Sequence, residues 1–267
     1  SHIKSIVGKP IYHFIGTDVF QLWNFHPTSA LIEFRKAFEK DNAKLFVNSE
    51  KLYDEMCTMG FDVDLLYTPI YDMKKYNPGY FGLPKKFTVG VYFSDTNPMH
   101  SPDGAGGQSN IPLIMDVAKS MPDINFKFFG GTSRVFQNKS GRVSTERDNI
   151  KVCGRIPESE MVNFINSCSM CLRSTVHDGF PQLPIQFLLC GRRALVSYDY
   201  DDLKYADKLS YEVVLKYEEC KNEMISKIYE MSERPKLTEE EIEEIKDYYS
   251  NLMSEKKFKE EIYKCLN

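Results

Sequence analysis

Residues 173–197 read RSTVHDGFPQLPIQFLLCGRRALVS. An Arg, a His and an Asp lead into Gly-Phe-Pro, an apolar run follows, and Gly191 separates that run from the strand-like ALVS. The residues just before, MCLR (170–173), also read as a strand. Strand, turn, helix, strand is the repeating unit of a parallel α/β sheet with right-handed crossovers. Pro181 and Pro184 fit only in the first turn of the helix, which fixes its start near Gln182, and Gly191 closes it after Cys190. Ile185, Leu188 and Leu189 form its buried stripe, while Gln182 and Gln186 share the other face.

In such a sheet, ligands bind outside the carboxyl ends of the strands. Arg173 ends its strand, so residues 173–180 belong at that edge. The N–H groups of Gly179, Phe180, Gln182 and Leu183 are expected to point into the crevice, where amides at the positive end of a helix bind phosphate. The carboxylate of Asp178 would repel phosphate, so its better use is to grip sugar hydroxyls. The residues thus predict a diphosphate on the helix start with a polyhydroxylated group beside Asp178. Each also has a plainer use. Asp178 fits a helix N-terminal charge, Arg173 an ion pair with a neighbouring acid, His177 a turn, and Gln186 a polar helix face.

The same alternation runs along the chain. Apolar runs recur as IYHFI (11–15), KLFVN (44–48), LLYTPI (65–70), FTVGVYF (87–93), INFKFF (124–129), IKVCG (150–154), MCLR, ALVSY (194–198) and YEVVL (211–215). Runs that are apolar at nearly every position fit strands buried on both faces. SALIEFRKAFEK (29–40), IPLIMDVAKSM (111–121) and ESEMVNFINSC (158–168) carry helical spacing. The stretch 71–86, YDMKKYNPGYFGLPKK, has no apolar period and reads as a linker. It divides a small unit (1–85), with about three strands and two helices, from a complete one (86–267). The tail from TEEEIEEIKDYY onward reads as helix, Thr238 and Glu241 forming a capping box.

The 267 residues are 42% hydrophobic and 27% charged, enough to bury a real core. A net charge of -4 without a basic block argues against nucleic acid as the main partner. Seven Cys, an odd number, point to reduced thiols and a cytoplasmic setting. No apolar run approaches the length of a bilayer span, and no signal-peptide pattern opens the chain. Cys168-x-x-Cys171 is one pair without a second, so a zinc reading is weak. Asp62-x-Asp64 reads as a solvated turn and Asp199-x-Asp201 as a helix-start cluster.

The run GRIPESEMVNFINSCSMCLRSTVHDGFPQLPIQFLLCGRRALVS (154–197) resembles the donor-binding half of retaining GT-B glycosyltransferases, of the group 1 or family 4 type. The likeness covers roughly residues 87–215 and is weaker in 1–86, where HFIGTDVF and LFVNSE…YTPIYD look like the last strands of such an N-terminal domain. It implies an α/β GT-B-like fold, two Rossmann-like units facing a cleft, with the first one short. It also implies sugar transfer from a nucleotide diphosphate sugar to a hydroxyl acceptor with retention, and neither cofactor nor metal. Asp178 takes the place of the acid that grips the donor sugar, and Gln186 that of the acid that holds the ribose. Arg155 and Ile156 would border the base. Gly179, Phe180, Gln182, Leu183 and Arg173 would meet the diphosphate, with His177 beside them. Asp18 is expected in the active site, with Gly16 and Thr17 on the acceptor side and His13 nearby.

Three departures stand out. Gln186 offers the ribose a neutral hydrogen bond of about 0.5–1.5 kcal/mol in place of a charged one of roughly 1.5–3, which weakens binding about tenfold. The loop SDTNPMHSPDGAGGQSN (94–110) lacks the Arg and Lys expected against the phosphates. Its Gly104, Gly106 and Gly107 let backbone approach an anion, and Arg173, Arg155 and Arg134 are the candidates to supply the charge. About 86 residues precede the second unit, fewer than a full acceptor domain has. Family members often use lipid-linked acceptors, which implies a glycan or lipid-linked acceptor and transient membrane contact; the oligomeric state is not indicated. The competing expectations are a catalytically inactive nucleotide-binding or partner subunit, and another enzyme on the same architecture such as an epimerase or phosphorylase.

Overall fold

In a computed structural model of the chain, residues 2–3, 10–15, 19, 22, 28–70, 72–77, 82–93, 111–131, 147–175, 177–197, 201–210 and 217–266 are described. The first sheet is β1 (His2–Ile3), β2 (Ile11–Phe14), β3 (Lys44–Val47) and β4 (Asp64–Leu65), in that order. β1 pairs antiparallel with β2; the other pairings are parallel. Helices α1 (Thr28–Lys40) and α2 (Glu50–Thr58) make the crossovers. Ser49 caps α2 by accepting from the Leu52 amide at 3.3 Å.

The second sheet holds β5 (Thr88–Tyr92), β6 (Asn125–Phe129), β7 (Ile150–Gly154), β8 (Met170–Arg173), β9 (Arg193–Val196) and β10 (Asp207–Lys208). Its order is β10-β9-β8-β5-β6-β7, every recorded pairing parallel. The chain therefore starts in the middle, winds one way through β7, then returns to β8 and winds the other way. The strand order reverses at β5/β8, which makes that boundary the topological switch point.

Side-chain alternation divides this sheet between two cores. Met170 and Leu172 pack with Val89, Val91, Phe126 and Phe128 under α3 (Ile111–Ser120) and α6 (Tyr217–Glu233). Cys171, Ala194 and Val196 face the other way, onto α4 (Met161–Asn166), α5 (Gln182–Leu189) and α7 (Glu239–Leu252). Gly90 admits α5 to the sheet: a Cβ there would stand 2.9 Å from the Phe187 ring. Cys168 and Cys171 lie buried in this second core, where burial pushes the Cys168 thiol up to about 12. Among the described residues no cluster of three metal-ligating side chains forms.

The capping box at Thr238 is present, with Glu241 bonding back to the Thr238 amide. α8 (Glu255–Leu266) returns to the first sheet, where Phe258, Ile262 and Cys265 pack on Ile11, Phe46 and Leu66. One expectation needs correction. LLYTPI (65–70) is a strand only at its first residue. Pro69 has no N–H to donate, and the Thr68 and Pro69 carbonyls accept from the Gln182 side chain at 3.2 and 3.3 Å, drawing the chain off the sheet toward α5. The described part of 71–86 is packed in place: Tyr76 is buried in the second core and Arg192 donates to the Gly82 carbonyl. The expected strand 211–215 lies outside the described residues. No described helix is long and apolar enough to cross a membrane.

Candidate functional site

A cavity of about 410 Å³ opens at the carboxyl ends of the second sheet. Each wall comes from a strand end or a helix start. β5 contributes Tyr92, β6 contributes Phe129 and the following Gly130, and β8 contributes Arg173. Arg155 and Ile156 follow β7, Met161 opens α4, and Pro181, Gln182, Leu183 and Gln186 belong to the first turns of α5. The space thus lies on both sides of the switch point. Gly130 has φ +105, a left-handed backbone, and a Cβ there would stand 2.6 Å from the Phe93 carbonyl oxygen.

α5 starts as its prolines require. Pro181 is the N-cap, without a side-chain cap, and Gly191 follows the helix at φ +67. Pro181 and Pro184 have no N–H. Of the amides that lack a helical acceptor, those of Gln182 and Leu183 remain, and both residues line the cavity. The expectation of four inward amides is therefore halved. The Gly179 amide donates to Asp178 Oδ1 at 3.0 Å, and the Phe180 amide donates to Asn48 Oδ1 at 3.3 Å. The Gly179 amide is taken up within the turn itself, and the Phe180 amide is taken up because this turn docks on the first lobe, with the Phe180 ring buried 5.0 Å from that of Tyr67.

Charge in the cavity is one-sided. Its lining holds Arg155, exposed at the rim, and Arg173, with no carboxylate among the described lining residues. Arg173 is held on two sides. Its Nε donates to Asp178 Oδ2 at 2.6 Å, its Nη2 also reaches that oxygen, and its Cζ lies 4.9 Å from the Tyr92 ring centre. Asp178 itself is not part of the lining. His177 is also outside it: buried, it meets the Glu55 carboxylate of α2 at 2.9 Å through Nε2. Lys51, one turn before Glu55, is held below its ordinary pKa by burial, against the attraction of Glu55 and Asp178.

Of the residues singled out from sequence, Arg155, Ile156, Arg173, Gln182, Leu183 and Gln186 come together around one space. Asp178 touches that group through Arg173, while His177, Gly179 and Phe180 face the first lobe. Gly16, Thr17, Asp18, Gly106 and Gly107 lie outside the described residues, as do Gly104 and Arg134. Tyr92, Phe129, Gly130 and Met161 complete the lining. The first three could have been found by applying the strand-end rule to β5 and β6 as well as to β8.

Two α/β sheets, the second with a cavity at its switch point, define a GT-B-like fold, and that fold is the one seen in group 1 retaining glycosyltransferases. The chain is similar to TarM of S. aureus at TM-score 0.66 and 13% identity, over 96% of this chain and 50% of that one. It is similar to the pneumococcal O-GlcNAc transferase GtfA, solved with UDP and GlcNAc, at TM-score 0.58 and 13% identity over 88% and 47%. HepE of Anabaena, solved with UDP and glucose, matches at TM-score 0.54 and 12% identity over 92% and 71%. The chain spans about half the length of TarM and GtfA. No protein-family model and no curated protein sequence matches it.

Proposed function

We propose that the chain binds a nucleotide diphosphate sugar in this cavity and forms the donor side of a retaining glycosyltransferase acting on a hydroxyl acceptor. The observation that carries this reading is the lining at the switch point, Arg155, Arg173 and the α5-start residues Gln182 and Leu183 around 410 Å³ with no carboxylate among the described lining residues. Ligand pockets commonly measure about 300–1,000 Å³. In this reading residues 86–267 hold the donor and residues 1–85 face the acceptor through Gly16, Thr17 and Asp18. The diphosphate rests on the Gln182 and Leu183 amides and Arg173, the base lies along Arg155 and Ile156, and Gln186 bonds the ribose. As the sugar–phosphate bond breaks, the acceptor oxygen bonds the anomeric carbon on the same face and its proton passes to the leaving phosphate. The protein's work is positioning and charge stabilisation. Buried thiols at Cys168, Cys171, Cys190 and Cys220 fit a cytoplasmic protein, and a lipid-linked acceptor would bring it to a membrane surface.

A second reading, a nucleotide-binding subunit without turnover, is favoured by the pairing of Asp178 with Arg173, which engages the acid otherwise offered to the sugar.

HepE and GtfA were both solved with UDP, so UDP is the first nucleotide to try, followed by GDP and ADP. At 100 times its dissociation constant, bound nucleotide adds about 2.7 kcal/mol of stability, read as a rise in Tm. Arg155→Ala is expected to weaken binding about tenfold by removing a charge-assisted hydrogen bond. A chain whose Tm responds to no nucleoside diphosphate overturns the proposal. Binding without release of nucleotide from any nucleotide sugar decides for the subunit.

A further inference from the structure

We infer that Asp178 acts on Arg173 and not on the sugar: with Tyr92 it clamps the guanidinium at the end of β8, which makes Asp178 and Tyr92 positioning residues for the cation that meets the diphosphate. The inference rests on the donor-binding reading above. Three observations carry it. First, the carboxylate is engaged on both oxygens. Oδ2 receives Nε at 2.6 Å, and Nη2 as well, while Oδ1 receives the Gly179 amide at 3.0 Å. Second, the Tyr92 ring covers the guanidinium at 4.9 Å from the adjacent strand end, so both an edge and a face of the fork are held. Third, Arg173 and Tyr92 line the cavity and Asp178 does not.

The side chains of Arg173 and Asp178 are only 15% and 19% exposed, so water screens their attraction weakly. A guanidinium with its plane fixed suits bidentate contact with phosphate oxygens. An unrestrained arginine loses rotamer freedom when it binds; a clamped one has lost it already. The loop 94–110 carries no Arg or Lys, so the burden on this cation is greater.

The test is a double-mutant cycle read with UDP and UDP-glucose, or with the best nucleoside diphosphate and its sugar if UDP is not preferred. Asp178→Ala weakens the diphosphate and its sugar by the same factor, about tenfold or more. Tyr92→Leu weakens both by less, and Asp178→Glu restores part of the loss. In the Arg173→Ala background neither substitution at 178 nor at 92 weakens binding further. Ligand-free Tm separates folding from binding, and Asp178→Asn replaces the Ala variant if the latter does not fold. Loss confined to UDP-glucose, unchanged or tighter UDP binding in Asp178→Ala, or equal losses with and without Arg173 would overturn the inference and leave donor binding standing. A wild-type chain that binds no nucleoside diphosphate removes the donor reading itself, and the clamp's role with it.

Discussion

A methyl group at position 179 would stand 2.2 Å from the Ile15 carbonyl oxygen and 2.7 Å from Asn48 Oδ1. The first neighbour is backbone, and the second is a buried side-chain oxygen held by the Phe180 amide, so Gly179→Ala forces the turn and the end of β2 apart. The expected cost is about 1–3 kcal/mol, typical of overpacking, read as a lower urea midpoint. This glycine shows what sequence can and cannot display. The start of α5 was legible because Pro181, Pro184 and Gly191 act through their own backbones. The fate of the Gly179 and Phe180 amides was not, because Asn48 is 132 residues from Phe180 along the chain. The Arg173–Asp178 pair lies between: five residues apart, it is one of two uses the sequence allows for each side chain, and the fold selects it.

Among the elements, α2 is one through which the lobes meet, at Glu50 and at Glu55. Asp202, only 4% exposed, accepts from the Glu50 amide at the helix start at 3.4 Å and from the Tyr67 hydroxyl, whose pKa rises first through burial and then through that bond. Acid at a helix N-terminus is favourable, and here it is supplied by the other lobe. Asp202→Ala is expected to cost about 1–3 kcal/mol, the penalty for buried donors that lose an acceptor, measured by chemical denaturation. The type of most elements was legible from periodicity, since strands buried on both faces and amphipathic helices leave different patterns. α6 is faint in the sequence: its buried residues, Cys220, Met224, Ile228 and Met231, form a thin stripe on an otherwise polar helix. The apolar run 65–70 overstates β4 because such a run records burial, and Leu66 and Ile70 are buried without being paired as strand.

For the whole molecule, the segment between the sheets is fastened electrostatically as well as by Tyr76. Lys75 pairs with Glu158, and the Tyr76 hydroxyl donates to the same carboxylate at 3.2 Å. The Lys75 hydrogen bond holds the Glu158 carboxyl below its ordinary 4.5. A depressed folded-state value means stability that is present above pH 4.5 and lost as pH falls through the lowered value. Glu158 is 65% exposed, so the effect stays below about 1 kcal/mol. Glu158→Gln should flatten that acid limb and leave stability near pH 7 lower by no more than that amount, as read in denaturation midpoints from pH 3 to 7.

The return of α8 to the first sheet has a consequence for how the chain is made. The side chains that cover Ile11, Phe46 and Leu66, those of Phe258, Ile262 and Cys265, are synthesised almost 200 residues after Leu66. During translation that face of the nascent polypeptide stays uncovered while everything between emerges from the ribosome, an interval of about 10–40 s at ordinary elongation rates. The first sheet is then the part most in need of a chaperone, and the emergence of α8 is the event that ends its exposure.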